Sequence, residues 1–166
     1  MSVGGEVGQI GKQNTLPDGL EQFLSKVKGI SKVAVQTGTA HGKGGEVNFE
    51  LVEELGEVAK KHGLAGIVQH GASTLPDNVF EKFSKFDVCE IHLATGINQI
   101  IIDNLPSELK EKIKSKKDFG PLKQEILDID EKYVNIIVDK LEKEFIFFFE
   151  RLNVKNTTEL VSSIYN

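Results

Sequence analysis

The chain has 166 residues, 39% of them hydrophobic, 27% charged and 7% aromatic, a globular composition with enough chain for one core of moderate size. That argues against a disordered tail, a collagenous repeat or a disulfide miniprotein. Twenty basic against 25 acidic residues give a net charge of −5, so nucleic acid is not an expected partner. The single cysteine, Cys89, has no internal disulfide partner and fits a reducing compartment. No apolar run approaches the ~18 residues of a membrane span. The opening MSVGGEVGQIGKQN lacks a basic segment followed by an apolar one. The expectation is a soluble cytoplasmic protein.

Glycine divides the chain, with every glycine but Gly120 at or before Gly96. Residues 3–10 read as a first strand and residues 18–28 as a helix. A compact β-branched run at 32–37 (KVAVQT) follows. Residues 49–62 place Leu51, Val52, Leu55, Val58 and Ala59 at helical spacing. Residues 66–70 (GIVQH) are strand-like, and residues 76–86 carry a helical stripe of Val79, Phe80, Phe83 and Phe86. Pro76 suits the first turn of that helix, where a missing N–H costs nothing. Residues 88–93 (VCEIHL) complete a β-α-β-α-β-α-β order whose connections are parallel crossovers. Beyond Gly96 the pattern is helical: a helix holding 99–102, a short basic helix at 106–115, and a loop at 116–121. A long helical pattern over 122–151 is broken near 128–130, and residues 157–165 give a last short helix. Parallel strands with interleaved helices belong either to an open doubly wound sheet or to part of a (β/α)8 barrel. A complete barrel needs ~250 residues.

Ligands in parallel α/β sheets sit on the loops after the strands' carboxyl ends. Three such ends carry chemistry: Gln36-Thr-Gly-Thr-Ala-His41-Gly42, Val68-Gln-His70-Gly71-Ala72-Ser73-Thr74 and Glu90-Ile-His92-Leu-Ala-Thr95-Gly96. His41 and His70 each stand just past an apolar run and before a glycine, which allows close backbone approach. Neighbouring strands lie ~4.8 Å apart, so the two imidazoles can reach one metal ion. A catalytic zinc takes about three protein ligands and keeps a position open; Glu6 is a candidate oxygen ligand. The small-residue turns at 71–74 and 95–96 precede helices, whose N-terminal amides suit a phosphate. Other residues read as structural. His62 ends a helix, Cys89 reads as a small core residue, and the lysines of 110–117 form a solvated face. In the run 145–149 (FIFFF), Phe147 falls off the helical stripe and is expected to leave some aromatic surface for a partner.

GTAHG at 38–42, QHGAST at 69–74 and EIHLATG at 90–96 resemble, in order and spacing, three strand-end motifs of the class II, metal-dependent fructose-bisphosphate aldolases. Gly4-Gly-Glu6-Val-Gly8 resembles that family's acidic strand, so the resemblance covers roughly residues 3–103. It implies a (β/α)8 barrel that reversibly cleaves a ketose bisphosphate, fructose 1,6-bisphosphate first, into dihydroxyacetone phosphate and an aldehyde. It implies that His41 and His70 bind the catalytic Zn2+, or another divalent metal, with Glu6 at a second or alternate metal position. Gly42, Gly71 and Ser73 would contact the dihydroxyacetone-phosphate half with help from a monovalent cation. His92, Ala94 and Thr95 would complete the substrate and phosphate pocket.

The sequence also departs from that pattern. His92 stands where the better-known members have asparagine, Ala94 where aspartate is expected, Ala72 for a glycine, and Gly4 for a first glutamate. The family's third zinc histidine and its proton-handling aspartate, on earlier strands, have no counterpart among these residues. The expectation is therefore the C-terminal half of an aldolase-type barrel over 1–103, with a helical extension over 104–166. It would act as a homo-oligomer or paired with an N-terminal half. The rival readings are a non-catalytic metal- or phosphate-binding remnant and an interaction module built on the C-terminal helices.

Overall fold

The computed structural model describes residues 2–8, 12–40, 44–114 and 116–165. In chain order the elements are β1 (Gly4–Glu6), α1 (Pro17–Lys26), β2 (Lys32–Val35), β3 (Thr39–Ala40), β4 (Gly44–Gly45), α2 (Phe49–Lys61), β5 (Ile67–Gln69), α3 (Asp77–Phe83), β6 (Val88–Ile91), α4 (Ala94–Asn104), α5 (Ser107–Lys112), α6 (Lys123–Leu127), α7 (Glu131–Arg151) and α8 (Thr158–Tyr165). A 3-10 turn at Ala72–Thr74 leads toward α3, and another at Lys116–Phe119 replaces the expected loop. The expected first strand is shortened to Gly4–Glu6; its far end, at Ile10, lies outside the described residues.

Four strands pair in parallel in the order β1-β2-β5-β6. Each new strand is added beside the previous one, with no reversal. A doubly wound sheet would reverse its order at a switch point, whereas an unreversed run is the order found along a (β/α)8 barrel wall. The sheet order is consistent with part of a (β/α)8 barrel wall.

In-register parallel neighbours point their side chains to the same face. One face carries Val33, Val35 and Ile67 and is roofed by Leu20 and Leu24 of α1, Val52 and Leu55 of α2, and Phe80 and Phe83 of α3. These helices form because their apolar residues recur at helical spacing with identifiable starts. Pro17 opens α1, and the Asn48 side chain accepts from the Leu51 N–H at 3.0 Å to start α2. The opposite face carries Glu6, Lys32, Ala34, Gln36, Val68, His70, Glu90 and His92, a mostly polar set.

The C-terminal helices build a second cluster around Leu105, Leu109, Ile113 and Ile137. α7 joins the two clusters: Ile137 belongs to the second, while Phe148 enters the first, with its ring 4.9 Å from that of Phe80. The break near residues 128–130 is observed, with Asp130 capping α7 through the Lys132 N–H. Phe147 is not the aromatic left open. It is half-buried against Phe148 and covered by the Arg151 guanidinium, while Phe145 and Phe149 are exposed. Among the described residues no helix is long and apolar enough to cross a membrane.

Candidate active site

Beneath the carboxyl ends of the strands lies a fully buried polar ladder. Thr37 donates its hydroxyl to Gln69 Oε1 at 2.8 Å. The Gln69 amide donates to Thr39 Oγ1 at 3.0 Å and to the His70 carbonyl at 2.7 Å. Thr39 donates to that same carbonyl at 2.6 Å, and Gln36 donates to the Thr39 carbonyl, also at 2.6 Å. Buried polar groups are tolerated only when paired, and this ladder pairs its members while clamping the backbone at His70 from two side chains. Gln36 Oε1 is buried without a partner among the described residues.

Above the ladder, His70 and His92 meet. Their Nδ1 atoms are 3.2 Å apart and their rings lie edge to face, with centroids 4.3 Å apart. His92 Nε2 lies 2.6 Å from Glu90 Oε1, and the other Glu90 oxygen pairs with the Lys32 ammonium. That ammonium, and then the His92 ring, hold the Glu90 carboxyl below its ordinary range. An ionised carboxylate only accepts, so His92 must present Nε2–H to Glu90. In the neutral ring its Nδ1 lone pair then faces His70.

The two small-residue turns converge. Gly71 is buried in the left-handed conformation (φ 67°, ψ 18°) and opens the 3-10 turn holding Ser73. A Cβ placed on Gly96 would lie 3.5 Å from Cβ of Ser73. Ser73 therefore stands beside the first turn of α4, where Ala94 and Thr95 are exposed. Hairpin β3–β4, absent from the expected elements, flanks residues 41–43. His41 and Gly42 lie outside the described residues.

The Fructose-bisphosphate aldolase class-II family model matches residues 1–145. The chain belongs to that family. Among solved structures it resembles the X-ray crystal structure of the YdjI aldolase from Escherichia coli K12, with a TM-score of 0.55 and 20% identity. The match covers 89% of this chain and 48% of that one, so the chain spans about half the length of that aldolase.

Set against the aldolase expectation, the fold brings His70, His92, Gly71, Ser73, Ala94 and Thr95 to one end of the sheet. Glu6 shares their polar face but sits in the row of Ala34, Val68 and Glu90, two strands from β5. Among the described residues no three His, Cys, Asp or Glu side chains form a metal-sized group. The donor chemistry does fit a zinc-type ion: two imidazole nitrogens converge, and one ring is oriented by a carboxylate.

Sequence reasoning gave Glu90 and Lys32 no role. The signal for Glu90 was its two-residue spacing from His92, which puts both on one strand face. Cys89, expected in the core, is exposed at a β-bulge on the edge of the sheet, its thiol directed to the Ile67 carbonyl at 3.4 Å. His62 caps the end of α2 and meets Glu21 at 2.8 Å, a structural role as expected.

Proposed function

We propose that the chain is the phosphate- and metal-binding part of a class II aldolase-type lyase. It would cleave a ketose bisphosphate, fructose 1,6-bisphosphate first, to dihydroxyacetone phosphate and an aldehyde. The observation that carries this reading is the convergence of His70 with two glycine-bearing turns at the carboxyl end of a parallel sheet, in a chain of this family.

The expected metal is zinc, held by His41 and His70, with Glu6 at an alternate position. When bound, such an ion supplies Lewis acidity to the ketone oxygen and to the charge left by C–C cleavage. The chain's own residues do the positioning. The left-handed turn at Gly71 is a backbone conformation that glycine adopts readily and other residues do not, and it opens the turn that carries Ser73. Ser73 and the α4 amides near Ala94 and Thr95 offer neutral donors and a positive dipole end to a phosphate. Gly42 would serve the same half of the substrate, with a monovalent cation offsetting phosphate charge. Fixing the phosphate sets the reacting carbons, and such positioning supplies a large share of a cleavage barrier.

The proton-handling group and the third family histidine are proposed to come from further strands. Among the described residues the outer edges of β1 and β6 are unpaired, and open edges favour pairing. An N-terminal half of the barrel would supply those strands and residues, which have no counterpart in residues 1–166.

The test is fructose 1,6-bisphosphate cleavage by the zinc-loaded chain, alone and mixed with the N-terminal half of a family aldolase. The expected result is turnover in at least one case, abolished by chelator and by His70→Ala. Absence of turnover in both, with folded samples, overturns the proposal.

A further inference from the structure

Resting on the proposed metal site, we infer that His92 is a metal ligand of this chain rather than a substrate contact. The two Nδ1 atoms of His70 and His92 are 3.2 Å apart. Zinc–nitrogen bonds are about 2.0–2.1 Å, so two nitrogens on one tetrahedral ion stand roughly 3.3 Å apart. The hydrogen-bonding separation of the two rings thus matches one edge of such a coordination shell. The tautomer agrees: Glu90 accepts the Nε2–H of His92 at 2.6 Å, which leaves the Nδ1 lone pair of the neutral ring facing His70. Glu90 is itself anchored, since its second oxygen pairs with Lys32. A metal-bound imidazole whose other nitrogen is held by a carboxylate is the arrangement that fixes ring orientation and strengthens the ligand.

His92 stands where an asparagine is expected in the resemblance described above, so this ligand is a property of this chain. The geometry arises from the bulge at Cys89. Pairing runs Ile67 with Val88 and then Val68 with Glu90, which brings His92 beside His70 on the polar face. Without the extra residue, Ile91 would stand beside His70 and His92 would face the helices.

The test titrates zinc into the full chain against a chromophoric chelator and records the absorption of the cobalt-substituted protein. The samples are the wild type, His92→Ala, His92→Asn and Glu90→Gln, each checked for fold by circular dichroism without metal. Both His92 variants are expected to lose about a hundred-fold or more in zinc affinity and to change the cobalt ligand-field bands. Glu90→Gln, which keeps the ring, is expected to lose about 10–100-fold. Should the His92 variants fail to fold, Glu90→Gln decides the matter by the same readouts. Wild-type zinc binding with unchanged affinity and cobalt spectrum in the variants overturns the assignment and leaves the aldolase reading standing. Zinc binding that depends on His92, with no sugar-phosphate cleavage by the chain alone or mixed with the N-terminal half, supports the ligand and overturns the aldolase reading. A wild type that takes up no zinc, alone or mixed with the N-terminal half, overturns both.

Discussion

Replacing Gln69 by leucine tests whether the buried ladder holds the site together. The side chain is fully buried and makes three hydrogen bonds, to Thr37, Thr39 and the His70 carbonyl. Leucine fits the space but makes none of them. Two of the abandoned partners still satisfy each other, because Thr39 keeps its 2.6 Å bond to the His70 carbonyl. The Thr37 hydroxyl, fully buried, is left without the partner it had. Each forgone bond is worth about 0.5–1.5 kcal/mol net and an orphaned buried donor about 1–3. Part of that loss is offset by the extra apolar burial, so Gln69→Leu is expected to cost about 3 kcal/mol in urea unfolding. Thr37→Val alone strands the Gln69 carbonyl oxygen and should cost about 1–3 kcal/mol. In the double variant neither group is left stranded, so its cost should fall short of the sum by at least about 1 kcal/mol. A Gln69→Leu cost under about 1 kcal/mol, or strict additivity, would refute the ladder as the support beneath His70.

The C-terminal helix offers a second test. Phe148→Ala removes a buried ring packed on Phe80 and should cost about 3–5 kcal/mol, whereas Phe149→Ala, half-exposed, should stay within about 1 kcal/mol; equal effects would mean that α7 does not dock as seen. Two glycines should respond to alanine with opposite signs under thermal melting. Gly19 lies within α1 with nothing near its missing Cβ, so Gly19→Ala should stabilise by about 0.5–1 kcal/mol. Gly66 has φ 149° and its Cβ would sit 2.3 Å from the Asp87 carbonyl oxygen, so Gly66→Ala should lower the melting temperature markedly. Finally, zinc at a hundred-fold excess over its dissociation constant should stabilise the wild type by about 2.7 kcal/mol. That gain should disappear in His70→Ala, and persistence there would place the metal elsewhere.

The alternation of strands and helices was legible because each element carries its own local signal. Residues 32–35 and 67–69 are short apolar runs, and the Leu51, Val52, Leu55 and Ala59 stripe keeps helical spacing over the length of α2. The place of His70 was legible for the same reason: it follows the apolar run that ends at Gln69 and precedes a glycine. The β3–β4 hairpin was not, because two-residue strands of threonine, alanine and glycine have no periodicity to read. The Lys32–Glu90–His92 chain was also hidden, since residues 58 positions apart meet only once strand order and register are known. The aromatic run at 145–149 pointed to packing, but which ring is covered depends on where α7 lies over α3.

Cys89 shows how one residue's register can decide both a misreading and a site. Alternation along Val88-Cys89-Glu90-Ile91-His92 puts Cys89 and Ile91 on the face opposite Val88, Glu90 and His92. In the structure Val88, Ile91 and Leu93 pack against the helix-covered core, while Glu90 and His92 lie on the polar face. No unbroken strand can place both Val88 and Ile91 on one side, because they are three residues apart. The bulge resolves that conflict by leaving Cys89 unpaired at the edge. Burial of the apolar residues before and after the bulge favours this register, since a slip would drive Glu90 and His92 under the helices at the cost of desolvating both. The hydrophobic core on one face of the sheet thus fixes the imidazole pair on the other. Bulges beside functional sites commonly re-aim a side chain in this way, and here the re-aimed side chain is the one that meets His70.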